Sequence, residues 1–202
     1  MKKSFIIRII ALIVVLLIIG IYLIIQNNNP VNVDTNINSN PEKANDYVGE
    51  STTIIHKDFK AIMKNDWPES EIPPSTYFYL PPNVAQEDVN AEVISIAVTF
   101  LGENNQYTLE SLLEHGIENS KKIIPDFELI ESTDWNNDYF DCKKIKFTGT
   151  SEGVKRSSLQ VFGIKHNNLY AITYSCPIAN CNSYAVYNSL LESFEPVEAK
   201  QK

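Results

Sequence analysis

The chain has 202 residues, 44% of them hydrophobic and 21% charged, with 7 Gly beside 10 Pro, which excludes a collagen, a coiled coil and a wholly disordered chain. Its formal charge is -8, and removing Lys2, Lys3 and Arg8, which sit in a leader without acids, leaves about -11 for the rest. Gripping nucleic acid through its phosphates needs the opposite sign, so nucleic acid is not an expected partner.

Residues 9 to 25 form an apolar run, extended toward the N-terminus by Phe5, Ile6 and Ile7 around Arg8. As a helix the run covers roughly 26 Å, and with Arg8 snorkelling to the headgroups residues 5–25 suffice to cross a hydrocarbon core of about 30 Å. A cleaved secretory signal is the competing reading. Such signals end in a small-residue site, whereas this run ends Tyr-Leu-Ile-Ile-Gln-Asn-Asn-Asn. An uncleaved signal anchor is therefore expected. The cations precede the span and none follows it until Lys43, which puts the N-terminus in the cytoplasm and the rest outside.

From Gln26 to Gly49 the chain is Asn-rich, with Pro30 and Pro41 and only isolated aliphatics, a composition unable to bury enough surface to order itself. The expected organisation is a cytoplasmic tip and anchor over 1–25, a flexible stalk over 26–50, a globular domain over 51–197 and a disordered tail over 198–202. No Asn-x-Ser/Thr triplet occurs, so the common N-glycosylation acceptor is absent from the sequence.

Within the domain, β-branched and aromatic runs predict strands at Thr52–His56, Phe59–Met63, Thr76–Leu80, Glu92–Leu101, Glu128–Thr133, Tyr139–Gly149, Ser157–Lys165 and Leu169–Tyr174. The last two join through His166-Asn167-Asn168, where Asn tolerates left-handed backbone angles. Leu169, Ala171 and Thr173 alternate with Tyr170, Ile172 and Tyr174, so this strand carries bulk on both faces and should be central. A helix should start at Thr108, capped by its hydroxyl, with Glu110 in the first turn, Lys121 and Lys122 near its end, and Leu109, Leu112, Leu113 and Ile117 on one face. A second helix is predicted from Ala179 to Phe194, stopped by Pro196. Two amphipathic helices need a sheet to lie on, which makes the domain α+β, a predominantly antiparallel sheet between helices.

The succession of the Phe59 strand, Asp66-Trp67-Pro68, the Val93–Leu101 strand, the Thr108-Leu109-Glu110 helix start, Leu159-Gln160-Val161-Phe162, Leu169-Tyr170-Ala171-Ile172-Thr173-Tyr174 and Leu190-Leu191-Glu192-Ser193-Phe194-Glu195-Pro196 resembles the PsbP-like superfamily over roughly Ser51 to Val197. That superfamily takes in extrinsic photosystem II proteins, DcrB-type envelope lipoproteins and Ran-binding relatives. The resemblance implies an antiparallel sheet between helices and a role in binding or assembling larger complexes. It carries no catalytic or metal residues onto this chain, and the anchor here is a helix where the lipoproteins use a lipid.

Chemistry-bearing residues are sparse. Cys176 and Cys181 flank Pro-Ile-Ala-Asn and could close a disulfide in an oxidising compartment or stand as two free thiols. Cys142 lies in a predicted strand as a small buried hydrophobe. His56, His115 and His166 are scattered, and no nucleophile elbow, Gly-rich phosphate loop or zinc spacing occurs. Asp134 to Asp138 imitates a calcium loop but has Tyr139 where Gly is needed and Ile145 in place of the bidentate Glu, so a hairpin turn is expected. No catalysis, cofactor or metal is expected.

Tyr77-Phe78-Tyr79 before Pro81-Pro82, with Trp67 nearby, is a composition found at interfaces. Alternation should bury Phe78 and expose Tyr77 and Tyr79, or the reverse, with core packing as the competing account. Tyr77, Tyr79 and Trp67 are therefore the candidate partner surface. The function expected is a membrane-anchored extracytoplasmic binding or assembly module for another envelope protein. The alternative is a receptor for a small ligand or cation, which would need a concave cavity.

Overall fold

The computed structural model describes residues 50–72, 75–85 and 88–198. The predicted anchor and nearly all of the predicted stalk, residues 1–49, lie outside the described residues, as does the tail beyond Glu198. No helix among the described residues is long and apolar enough to cross a membrane.

The elements run β1 (Ser51–Ile55), β2 (Phe59–Lys64), β3 (Glu69–Ile72), β4 (Thr76–Tyr79), β5 (Val93–Phe100), α1 (Leu109–Ile123), β6 (Glu128–Asn136), β7 (Asp141–Ser151), β8 (Val154–Lys165), β9 (Asn168–Pro177), α2 (Tyr184–Ser193) and β10 (Glu195–Pro196). They form an antiparallel seven-stranded sheet in the order β3-β4-β5-β9-β8-β7-β6 and a three-stranded sheet in the order β1-β2-β10. The α+β class expected from the strand and helix patterns is thus the observed one.

β9 is the middle strand of the seven and all ten of its residues are buried. Its two faces serve two cores. Tyr170, Ile172 and Tyr174 join Ile94, Ile96 and Val161 beneath α2 and the small sheet, which contribute Val186, Tyr187, Leu190, Leu191, Phe59, Ala61 and Met63. On the opposite face Leu169 and Ala171 meet Ile145, Phe147 and Phe162 beneath Leu112 of α1 and Ile124 just after it. Burial of bulk on both faces is what the two-sided alternation demanded, at about 25 cal/mol for each Å² of apolar surface removed from water.

Local signals explain the boundaries. Thr108 accepts from Ser111 N at 3.1 Å while Ser111 Oγ accepts from Thr108 N at 3.1 Å, a reciprocal cap that fixes the start of α1. The β8–β9 turn places His166 at φ 50° and Asn167 at φ 59°, both left-handed, as a tight hairpin requires. Two strands are absent from the pattern-based reading: β3, whose Glu-Ser-Glu-Ile has little strand character, and the two-residue β10. α2 begins at Tyr184 rather than Ala179. The segment expected to turn at Asp134 to Asp138 instead continues β6 to Asn136, and Asn137 makes the turn, its Oδ1 accepting from Tyr139 N and Phe140 N at 3.0 and 3.3 Å.

Candidate functional site

The aromatic surface expected at Tyr77, Tyr79 and Trp67 does not exist, because these side chains are 4%, 1% and 5% exposed. β4 is paired on both edges, with β3 and β5, and all four of its residues are buried. Tyr77 packs its ring against His56 and Phe59, at 3.9 and 5.4 Å between centroids. Tyr79 donates to Glu69 Oε2 at 2.6 Å, and His56 Nε2 lies 3.1 Å from the same oxygen. Burial, then the Glu69 hydrogen bond, pushes the Tyr79 hydroxyl far above its usual pKa, so it stays a neutral donor. The trio locks the turn after β1 onto the β3–β4 hairpin.

A disulfide joins Cys176 to Cys181, whose Cα atoms are 5.2 Å apart, and closes the connection from β9 to α2. Beside it lies a buried polar network. Glu92, 5% exposed, accepts from the Tyr174 hydroxyl at 2.9 Å and from the backbone N–H groups of Asn182 and Ser183 at 2.7 and 2.8 Å. Ser183 makes no side-chain cap of its own, so a carboxylate from β5's approach supplies the negative partner that the α2 N-terminus needs. Arg156 donates to Ser175 Oγ, Ser175 O, Val89 O and Ala91 O at 2.7 to 3.0 Å, and burial holds its pKa below the ordinary arginine value. The network ties four segments together, and all of its groups are spent on internal contacts.

Of the other sites weighed from sequence, Cys142 is buried and burial pushes its thiol up to about 12, which makes it inert near neutrality. His56 lies in the β1–β2 turn and His166 in the β8–β9 turn, and His115 is half-buried on α1. Lys143 pairs with Glu110 at 3.1 Å and with Asp134, joining α1 to β6 and β7. No group of three or more His, Cys, Asp or Glu able to hold a metal occurs among the described residues.

Among the described residues a concavity lies at the opposite end of the sheet from the disulfide. An open groove of about 900 Å³ is lined by Val98 and Phe100 of β5, Glu103 after it, His166, Asn167 and Asn168 at the β8–β9 turn, Lys57 and Asp58 between β1 and β2, Ser75 before β4, and Glu198 after β10. Its polar base is fixed: Asp58, Ser75 and Asn168 are 8%, 9% and 9% exposed. The Asp58 carbonyl accepts from the Tyr170 hydroxyl at 3.1 Å and from Val197 N at 2.8 Å, while Leu101 N donates to Asn167 O at 2.8 Å. Phe100 stands in the wall 61% exposed. Sequence reasoning missed this site because its ten residues come from five separate places in the chain. The one readable hint was Phe100, an aromatic at a strand end followed by Gly102.

The architecture is a seven-stranded antiparallel sheet held between a helix on one face and a helix with a small sheet on the other. The family described as PsbP-like protein matches residues 7–195, and the chain belongs to it. Among solved structures the fold is similar to cyanobacterial PsbP (CyanoP) from Synechocystis, at 10% identity and a TM-score of 0.55, covering 78% of this chain and 98% of that one. It is also similar to LpqN of Mycobacterium tuberculosis, involved in cell envelope biogenesis (11%, 0.53, 73% and 91%), and to the Ran-binding protein Mog1p of Saccharomyces cerevisiae (9%, 0.53, 73% and 96%). Comparison with curated sequences finds no match.

Proposed function

We propose that the protein is an extracytoplasmic binding module, anchored by residues 5–25 with its N-terminus in the cytoplasm, that engages another envelope protein through the groove beside Phe100 and turns over no substrate. The observation that carries this reading is the groove: a fixed polar base under an exposed aromatic ring, at the end of a rigid sheet. Exposed aromatics rimmed by polar groups are what interface centres are made of. That CyanoP, LpqN and Mog1p share the fold supports a binding role, Mog1p as a Ran-binding protein and LpqN in cell envelope biogenesis.

The volume, about 900 Å³, also falls within the range of small-ligand sites, which keeps the receptor alternative in view. Such sites enclose most of their ligand in apolar walls, whereas Phe100 is 61% exposed and the Lys57 side chain 68% exposed. A broad partner suits that openness better. The test has two arms in intact cells. A reporter fused after Lys202 is expected to be active only on the outer side. A photoreactive residue at Glu103 is expected to give a discrete adduct that the same residue at exposed Glu118, on α1, does not; cytoplasmic reporter activity, or no adduct at either position, overturns the reading.

A further inference from the structure

Building on the groove's assignment as a partner site, we infer that its occupant is an extended, basic segment of the partner polypeptide, with a lysine or arginine side chain resting on Phe100. The charge count comes first. Asp58, Glu103 and Glu198 line the groove against one constitutive cation, Lys57, whose ammonium already lies 3.6 Å from Asp58. Glu103 and Glu198 are both exposed, and no cation among the described residues pairs with either. Among the described residues the groove thus presents an excess of negative charge to solvent, on a domain that is itself acidic, and charge of one sign in a concave wall selects a partner segment of the other.

Phe100 sharpens the choice. An aromatic ring 61% exposed beside carboxylates offers its negative face to a cation, a contact of modest but directional strength. An acidic segment is repelled by the carboxylates, and a purely apolar one covers the ring but leaves their charge uncompensated.

Strand pairing supplies the third observation. β4 starts at Thr76, opposite Ala97, and the Val98 N–H reaches back to Ser75 O at 3.0 Å. β5 continues past that point, with Thr99 and Phe100 paired to Leu169 and Asn168 of β9 on the other side. By strand alternation the Phe100 N–H faces the same way as that of Val98, past the last β4 pair. Among the described residues no strand pairs with this short stretch of edge beside the groove, and an extended chain can pair with it while its side chains reach the wall.

The experiment uses the full chain in nanodiscs of zwitterionic phosphatidylcholine and fluorescence anisotropy of labelled heptapeptides in which serine alternates with lysine or with glutamate. The lysine peptide is expected to bind at least about tenfold tighter than the glutamate peptide, with an affinity that falls as salt rises. Phe100→Ala should weaken it about two- to fivefold, and Glu103→Gln with Glu198→Gln should weaken it further and flatten the salt dependence. All three positions are exposed, so circular dichroism should be unchanged. Equal binding of the two peptides, indifference to these variants, or displacement by spermidine at equal molar affinity overturns the inference, the last because it marks a small-cation site. A discrete adduct at Glu103 with no lysine preference removes the basic segment and leaves the binding module standing. Absence of any adduct removes the module itself.

Discussion

Gly163 shows how little room the core has. A Cβ built there would lie 2.5 Å from Phe140 Cε2 and 2.7 Å from Cys142 Sγ, in the layer where Phe140 also meets Tyr170 and Phe194. Gly163→Ala should destabilise the domain by about 2 to 3 kcal/mol through overpacking, readable as a lowered urea midpoint with unchanged slope. Cys142 in the same layer makes a pH prediction. Its thiol is raised from 9.0 to about 12 by burial, and the Tyr170 hydroxyl from 10.0 to about 12, again by burial first. Below about pH 9 both groups are neutral folded or unfolded and cost nothing. Between about 9 and 12 only the unfolded state releases these protons, so stability should fall as pH rises through that window. Cys142→Ala should make the decline between pH 9 and 10 shallower; an identical pH profile would show that other groups drive it.

At the scale of elements, α2 depends on a residue about ninety positions away. Glu92→Ala takes the acceptor from the Asn182 N–H, leaves the Ser183 N–H only the Tyr174 hydroxyl at 3.2 Å, and removes one of the two carboxylates, the other being Glu152, whose charge acts on the buried Arg156. We expect a loss of about 3 kcal/mol, partly restored by adding Arg156→Met, which the double-mutant cycle measures. This dependence also marks where sequence stops being informative. The Thr108 cap, the Asn167 turn and the two-sided β9 are legible because cap, turn and alternation are local chemistry. β3 was illegible because Glu69 to Ile72 become a strand only by pairing with β4, which lies beyond the intervening turn. The start of α2 was placed early because nothing near Ala179 reveals the Glu92 carboxylate that meets the backbone at Asn182 and Ser183. Tyr77 and Tyr79 were misread because alternation assumes one solvent face, and here the small sheet covers the face that alternation left open. The groove needed the whole topology, since the strand ends and turns that build it meet only after folding.

Across the whole molecule, the Cys176–Cys181 disulfide and the Glu92–Arg156 network brace one end of the sheet, while the groove occupies the other. Reducing the disulfide should cost about 2 kcal/mol, since the loop it closes is short, and lower the melting temperature by about 4 to 8 °C. Lysine-peptide binding at the groove should be unaffected, because the two features share no residues. A loss of binding on reduction, measured in the same nanodiscs, would mean the two ends are coupled.

The first strand has a mechanical meaning. Among the described residues β1 pairs only with β2, at the margin of the smaller sheet, and it is the first strand of the chain described. Any pull transmitted from the N-terminal side loads this five-pair ladder before it reaches β9 or either helix. β1 would then give way as a fuse, letting out slack of about 17 Å for its five residues, while the groove keeps its shape and its grip.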